Sequence, residues 1–399
     1  MNKPLEGSEL RHLQAFFFLF GLGIMCLAPR LPEIKANLDV STAYFGFLMS
    51  TGSIGALSAQ LVMGHVVHRL GVYRVLIYSS TLTYLTLGFL IELESAAIYL
   101  VMNIACGFAW ASYHIAINAQ ALHRQKESGK QIIPMLHGLW SAGAVATAFT
   151  ALLISSFVSL NWHILTLISV VYSLTLRSIN ASKNYLLQGH EVTEDDEVVT
   201  FRQMITSFHI DWVVSLGFLC ALMLEVSIGD WATIMARQEF GVSKSVAVTP
   251  YFLFMGAMVI GRLTYSRIKG DRSAKELVQP FVVMGGTIFL ACLSLSMQIK
   301  ESNLALGYSV FCLGFLLSGF GISFVGPLFF GYASARSGKP GGVVVAELGA
   351  VNQVLTFIGR AVISLVAGAA TLPIAMAIPG VMLILVAFFV AAASHPKGA

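Results

Sequence analysis

The sequence predicts an all-α polytopic membrane protein with twelve transmembrane helices in two six-helix, pseudo-symmetric bundles. Three observations carry that prediction. Hydrophobic residues make up 56% of the 399-residue chain and charged residues 11%, with a mean hydropathy of +0.78, whereas an ordinary soluble domain is about 25% charged. Apolar runs recur at lengths near the roughly 20 residues that cross a bilayer core, separated by short polar breaks. One longer polar stretch, from about 178 to 208, leaves six runs on each side.

In chain order the runs lie near 12–30, 43–67, 74–92, 96–120, 132–156, 160–177, 210–232, 247–266, 277–298, 304–330, 342–368 and 372–393. The first does not read as a secretory signal, because no small-residue cleavage site closes it and eleven runs follow. The central stretch holds Glu191, Glu194, Asp195, Asp196 and Glu197 without apolar periodicity, a solvated charge run. It predicts bundles at 1–178 and 209–399 joined by a cytoplasmic linker at 179–208. Twelve helices of about 20 residues leave roughly 160 for breaks and tails, too few for a separate catalytic domain.

Of the 24 Lys and Arg, 18 fall in breaks on the side of the amino terminus. Five fall opposite (Arg30, Lys35, Arg237, Lys244, Lys300), and Arg360 lies inside a run. That bias places both termini in the cytoplasm and accounts for the net charge of +4 without a nucleic-acid partner. The five cysteines, Cys26, Cys106, Cys220, Cys292 and Cys312, sit in apolar runs with no CxxC pair and no metal spacing, and read as packing residues.

The second break on the terminal side of each half has a related pattern, GHVVHRLG at 64–71 and GRLTYSRIKG at 261–270. The first resembles the loop motif of the major facilitator superfamily. Gly64, Arg69, Gly71 and Arg74 match, while His68 replaces the motif's Asp and Tyr73 its first closing basic residue. Segments at 28–41 (APRLPEIKANLDVS), 114–120 (HIAINAQ), 137–143 (HGLWSAG), 225–231 (EVSIGDW) and 321–335 (GISFVGPLFFGYASA) resemble the bacterial YbjJ-like branch, itself similar to fucose permeases. The resemblance implies the superfamily fold in a bacterial cytoplasmic membrane, a cavity at the interface of the halves and alternating access by rocking. It implies no particular substrate.

A charge at mid-bilayer costs about 2.5 to 3.5 kcal/mol, so those that remain face a cavity or a partner. This filter selects Glu225, Asp230, Glu347, Arg360, His114 and His137, and leaves Glu92 and Glu94 as interfacial. In the fourth run Asn103, Gly107, Trp110, His114 and Asn118 share one stripe, which lines a cavity or forms a polar packing seam. Relatives in the branch tend to have an acid at 114. In the eleventh run Gly349, Gln353, Thr356 and Arg360 share a face. Branch relatives tend to have Pro at 360, and Gly and Tyr at 352 and 353, where this chain has Asn352 and Gln353. That departure points to an anionic substrate held by Arg360, or to an Arg held by Glu225 or Asp230. His137, Ser141, Ala144 and Ala148 share a face suited either to close packing or to a site. His65 and His68 read as solvated rather than metal-binding.

The expected function is secondary active transport of a small polar or anionic solute, with protons, the solute and the bilayer as partners, no cofactor and a monomeric state. Proton-coupled uptake leads, with efflux or a non-transporting sensor as alternatives. No Walker loop, HExxH or GxSxG is present to support an ATP-driven pump or an embedded enzyme. Glu225 is the expected proton carrier and Arg360 its partner, with Asp230 about 140° around the helix and His114 as further acceptors. Arg30, Asn103, Trp110, His114, Asn118, His137, Trp140, Asn352, Gln353 and Arg360 are the expected substrate residues. Gly64, Arg69, Gly71 and Arg74 are expected to gate one mouth, and depth predicts that His114, His137 and Glu347 meet there.

Overall fold

Long helices punctuated by caps are what the sequence dictates once its apolar runs leave water. The computed structural model describes residues 7–130, 132–189, 210–269, 272–323, 325–337 and 341–394. The acidic run Glu191–Glu197 lies outside them. The helices are α1 (Gly7–Ile24), α2 (Leu31–Leu38), α3 (Thr42–Ser50), α4 (Gly52–Leu90), α5 (Ala96–Ser128), α6 (Ile133–Ile154) and α7 (Leu160–Ala181). They continue as α8 (Trp212–Phe240), α9 (Thr249–Lys269), α10 (Ala274–Ile299), α11 (Leu304–Ile322), α12 (Gly326–Arg336), α13 (Gly341–Ala369) and α14 (Leu372–Ala393). Short 3-10 turns at Ala28–Arg30 and Val246–Val248 complete the elements, and no strand occurs among the described residues.

Breaks are set by local chemistry. Ser159, Asp211, Ser273, Asn303 and Thr371 each accept a hydrogen bond from the backbone N–H three residues on, starting α7, α8, α10, α11 and α14. Ser273 and Glu276 form a reciprocal capping box. Gly129 and Gly241 close α5 and α8 in the left-handed conformation.

Among the described residues eleven segments are long and apolar enough to cross a membrane, and one of them, Thr42–Leu90, runs for 49 residues. At 1.5 Å per residue it would extend about 73 Å, more than twice a hydrocarbon core of about 30 Å. It is two crossings. Gly71 breaks α4 with φ 77° and ψ 160°, a region open essentially to glycine alone. Both arms return to one level of α5: Gly52 packs on Gly107, and Thr86 reaches the Cys106 thiol. The chain therefore makes twelve crossings.

Contacts gather the chain into two units that do not follow the sequence halves. The first comprises residues 1–27, 51–147 and 158–206; the second comprises 28–50, 148–157 and 207–399. The ends of the first, second and fifth crossings on the side away from the termini thus belong with the last six crossings. Inside the first unit, Phe16, Phe17, Phe20, Ala56, Ala59, Leu76, Ala116 and Ile117 form the buried core. Small residues let its helices touch: a Cβ on Gly143 would meet Phe18 O at 2.2 Å, and Thr147 Oγ1 donates to Leu22 O at 2.5 Å. Ser141, Ala144 and Ala148 are buried as well, which matches the close-packing alternative for that face. In the second unit α10 packs on α11 and α14, α9 on α11, and α3 on α13.

Candidate functional site

Within the second unit, α8 carries two of the three intramembrane acids, Glu225 and Asp230. Because α8 runs on to Phe240 rather than ending near 232, its midpoint falls near residue 226. Glu225 is therefore central and Asp230 sits only about 6 Å from that midpoint. That shift in depth changes the pairing. Arg360 of α13 donates from Nε to Asp230 Oδ2 at 2.7 Å and from Nη2 to Oδ1 at 2.6 Å, a bidentate pair with side chains 18% and 13% exposed. Glu225 does not hold Arg360. The five-residue offset turns it to another face, where Arg262 of α9 approaches to 3.7 Å.

The pair is enclosed by small and flat groups. Ser364, one turn after Arg360, donates to the Arg360 carbonyl at 2.7 Å, and Trp231, next to Asp230, is 1% exposed. Gly46 of α3 fits against both: a Cβ there would lie 2.1 Å from Ser364 Oγ and 2.5 Å from the Trp231 ring. One turn along, Gly368 faces Ala43 in the same way.

At the end of this unit remote from the termini, Arg30 is fully buried. Its guanidinium lies in bidentate contact with Glu33, whose Oε1 also accepts from Lys244 Nζ at 2.8 Å. Arg30, expected at the substrate, is thus engaged by a neighbour three residues along its own helical face. Ser156 and Ser245 exchange reciprocal N–H to hydroxyl bonds at 2.9 and 3.1 Å, and Gln238 donates to Thr42 at 3.4 Å.

In the first unit the fourth-run stripe divides. Asn103 bonds Thr51 at 3.2 Å and packs on Gly52, a helix seam. Asn118 Nδ2 donates to the His114 carbonyl at 2.8 Å, on its own helix. Trp110, His114, His137 and Trp140 are partly exposed. The imidazoles of His114 and His137 meet edge-on with centroids 6.1 Å apart. Phe20 stacks on His114 at 5.7 Å and Phe17 meets His137 at 5.4 Å. The two histidines meet as their depths predicted, but Glu347 belongs to the second unit. There it lines a cleft with Asp211 and Arg336, which pair at 2.9 Å. Equal depth fixes a level, not an azimuth.

The sequence profile of the Major Facilitator Superfamily matches residues 15–359. The chain belongs to that superfamily. An uncharacterized MFS-type transporter of Yersinia pestis is 28% identical over 374 residues, covering 93% of this chain and 92% of that protein. An uncharacterized transporter of Sinorhizobium fredii is 25% identical over 396 residues, covering 94% and 96%. In fold the chain is similar to a solved point mutant of the nucleoside transporter NupG, with TM-score 0.71 at 13% identity over 97% of this chain and 100% of that one. The protein is a multi-pass membrane transporter of the superfamily.

The superfamily loop motif now has a local explanation. Gly71 approaches residues 187–189 so closely that a Cβ would lie 2.8 Å from Gly189 N and 2.9 Å from Leu187 O, and Val72 N donates to Leu187 O at 2.9 Å. Tyr73, in the place of a basic residue, bonds Asn180 at 2.8 Å and lies under Lys183, 5.2 Å from its ring centroid. Gln120 clamps the same segment, donating to Tyr185 O at 3.0 Å and accepting from Leu187 N at 2.8 Å. Gly64, Arg69 and Arg74 are exposed. The contacts missed by sequence reasoning, Glu33 with Lys244 and Glu225 with Arg262, join residues about 211 and 37 positions apart; only the Arg30–Glu33 spacing could have been read directly.

Proposed function

We propose that this transporter moves a small polar solute inward across a bacterial cytoplasmic membrane, coupled to protons by alternating access, with both termini cytoplasmic. The observation that carries the reading is the Asp230–Arg360 pair, a bidentate contact between two crossings at mid-helix depth. Such a pair holds its charges while the guanidinium forks onto the carboxylate. If α8 and α13 shift apart, a carboxylate left in low dielectric takes up a proton, and the return of the guanidinium expels it. Asp230 thus replaces Glu225 as the proton carrier, and Arg360 serves as its charge partner. Glu225 and Arg262, loosely paired at 3.7 Å, offer a second acid on the same helix.

The test is solute-driven proton movement in vesicles containing the purified protein and a trapped pH-sensitive dye, across a panel of sugars, nucleosides, amino acids and organic acids. A coupled solute alkalinises the donor side with wild type, and Asp230→Asn removes the pH signal while solute exchange persists. A full pH signal with Asp230→Asn refutes the assignment; no proton signal with a solute that is nonetheless transported refutes coupling.

A further inference from the structure

Apart from Arg11, which reaches back toward the end of α1 to bond Gly7 O at 3.1 Å, the membrane-crossing parts of the first unit between Glu9 and Arg124 at one end and Glu92 at the other contain no Asp, Glu, Lys or Arg. What stands there instead is a two-layered wall of rings. Phe17, Phe20 and Tyr113 form the back layer, at 0%, 4% and 2% exposure, with Phe20 stacked on Tyr113 at 5.0 Å. Trp110 and His114 of α5, with His137 and Trp140 of α6, form the front layer and are partly exposed. The front layer is built differently from the back: every member has a ring nitrogen as well as an aromatic face. Among the described residues no hydrogen-bond partner meets the His114 imidazole or the Trp110 and Trp140 indole N–H groups.

Resting on the transporter reading above, we propose that the front layer binds an uncharged, ring-bearing solute, by stacking against Trp110 and His114 and by hydrogen bonds to the ring edge. Flat apolar faces with a few unpaired donors at their rims suit a ring that is apolar on its face and polar on its edge, whether a sugar or a heteroaromatic base. Net charge is excluded on the other side of the argument. A charged solute entering this wall meets no counter-charge, and desolvation would then act against it. Arg360, expected to anchor an anion, donates two short bonds to Asp230, whose charge neutralises it, and Arg262 faces Glu225. The anionic substrate expected from Arg360 is accordingly set aside.

The test is binding to the purified full-length protein in detergent, read by thermal shift and by titration calorimetry. The panel is free hexoses, free pentoses, nucleosides and nucleobases, each sugar and nucleoside paired with its phosphate ester. At least one neutral ring solute should bind, and its phosphate ester should bind at least about tenfold more weakly. Trp110→Ala should weaken that binding about tenfold, and Trp110→Phe should restore it to within about threefold, since one stacked ring contributes on that order. Binding by hexoses or by bases identifies which ring chemistry is used. The inference is overturned if no neutral ring solute binds, if an ester binds as tightly as its parent, or if Trp110→Ala and His114→Ala both leave affinity unchanged. Failure of the transport reading looks different: neutral solutes bind by these rules but none crosses a vesicle membrane. If a charged solute is carried with protons while neutral rings are ignored, the transport reading stands and this inference falls.

Discussion

Removing the Asp230 carboxylate should cost far more than removing the whole Asp230–Arg360 pair. In the native protein the guanidinium donates two bonds of 2.6 and 2.7 Å to the Asp230 carboxylate, with the Arg360 and Asp230 side chains 18% and 13% exposed. Asp230→Ala leaves that cation in a largely desolvated place with no acceptor, and breaking a buried pair from one side costs about 3 to 5 kcal/mol. Residual exposure of both side chains places the expected value at the lower end, about 3 kcal/mol. Asp230→Asn keeps one carbonyl acceptor and loses one charge-assisted bond, about 1.5 to 3 kcal/mol. Asp230→Asn with Arg360→Gln removes both charges and leaves two amides able to bond each other, so its cost should fall to about 1 kcal/mol or less. The assay is a double-mutant cycle on the midpoint of thermal aggregation in detergent, measured by fluorescence-detected size exclusion. The double variant should melt above either single variant. If the two single effects simply add, the charges are not coupled and the reasoning fails.

Glu33→Ala should destabilise by about 3 kcal/mol, because it removes the bidentate carboxylate from the fully buried Arg30, while Lys244→Ala, on a side chain 47% exposed, should cost under about 1 kcal/mol; comparable melting shifts for the two would refute that contrast. Gly46→Ala inserts a methyl 2.1 Å from Ser364 Oγ and 2.5 Å from the Trp231 ring. It should accelerate hydrogen exchange in Thr42–Ser50, with partial rescue by Ser364→Gly, and unchanged exchange would argue against a tight α3–α13 seam. Gly71→Ala combines a backbone conformation open essentially to glycine with contacts under 3 Å to residues 187–189. It should cost at least about 1 to 3 kcal/mol and raise protease sensitivity near 185–189; wild-type resistance would show that the turn tolerates a side chain.

The fold was legible in composition and spacing because a bilayer imposes one length on every crossing. Even the turn between the second and third crossings was readable, since Gly64, Arg69 and Gly71 mark it. Ion-pair partners were another matter. Depth along a helix follows from counting, but counting needs the right ends, and α8 extends eight residues past the expected boundary at 232 to Phe240. With the helix ending at Phe240, Asp230 lies near its middle, within reach of Arg360. Azimuth and side-chain reach were not countable at all: Arg360 spans to Asp230, while Arg262, from a motif assigned to the loop, faces Glu225. Similarly, His114 and His137 were placed together by depth, whereas the same argument sent Glu347 to them although it lines a cleft with Asp211 and Arg336.

The passage of the chain between units bears on how alternating access would operate. Three boundaries, at 27/28, 50/51 and 147/148, fall within or beside apolar crossings rather than in the central linker. Opening the side remote from the termini would therefore mean separating Ala28–Ser50 and Ala148–Phe157 from the second unit's last six crossings. Among the described residues, the polar ties there include the long Gln238–Thr42 bond at 3.4 Å. The Glu33–Lys244 pair, with Lys244 half-exposed, contributes about 0 to 1 kcal/mol, and the two Ser156–Ser245 bonds about 0.5 to 1.5 kcal/mol each. The seam at Gly46–Ser364 and Ala43–Gly368 adds van der Waals contact between small groups. These polar ties sum to a few kcal/mol, and inverting a two-state population from 1:99 to 99:1 requires about 5.5 kcal/mol. In the proposed cycle, a closure of that strength would lie within reach of one bound solute and one proton.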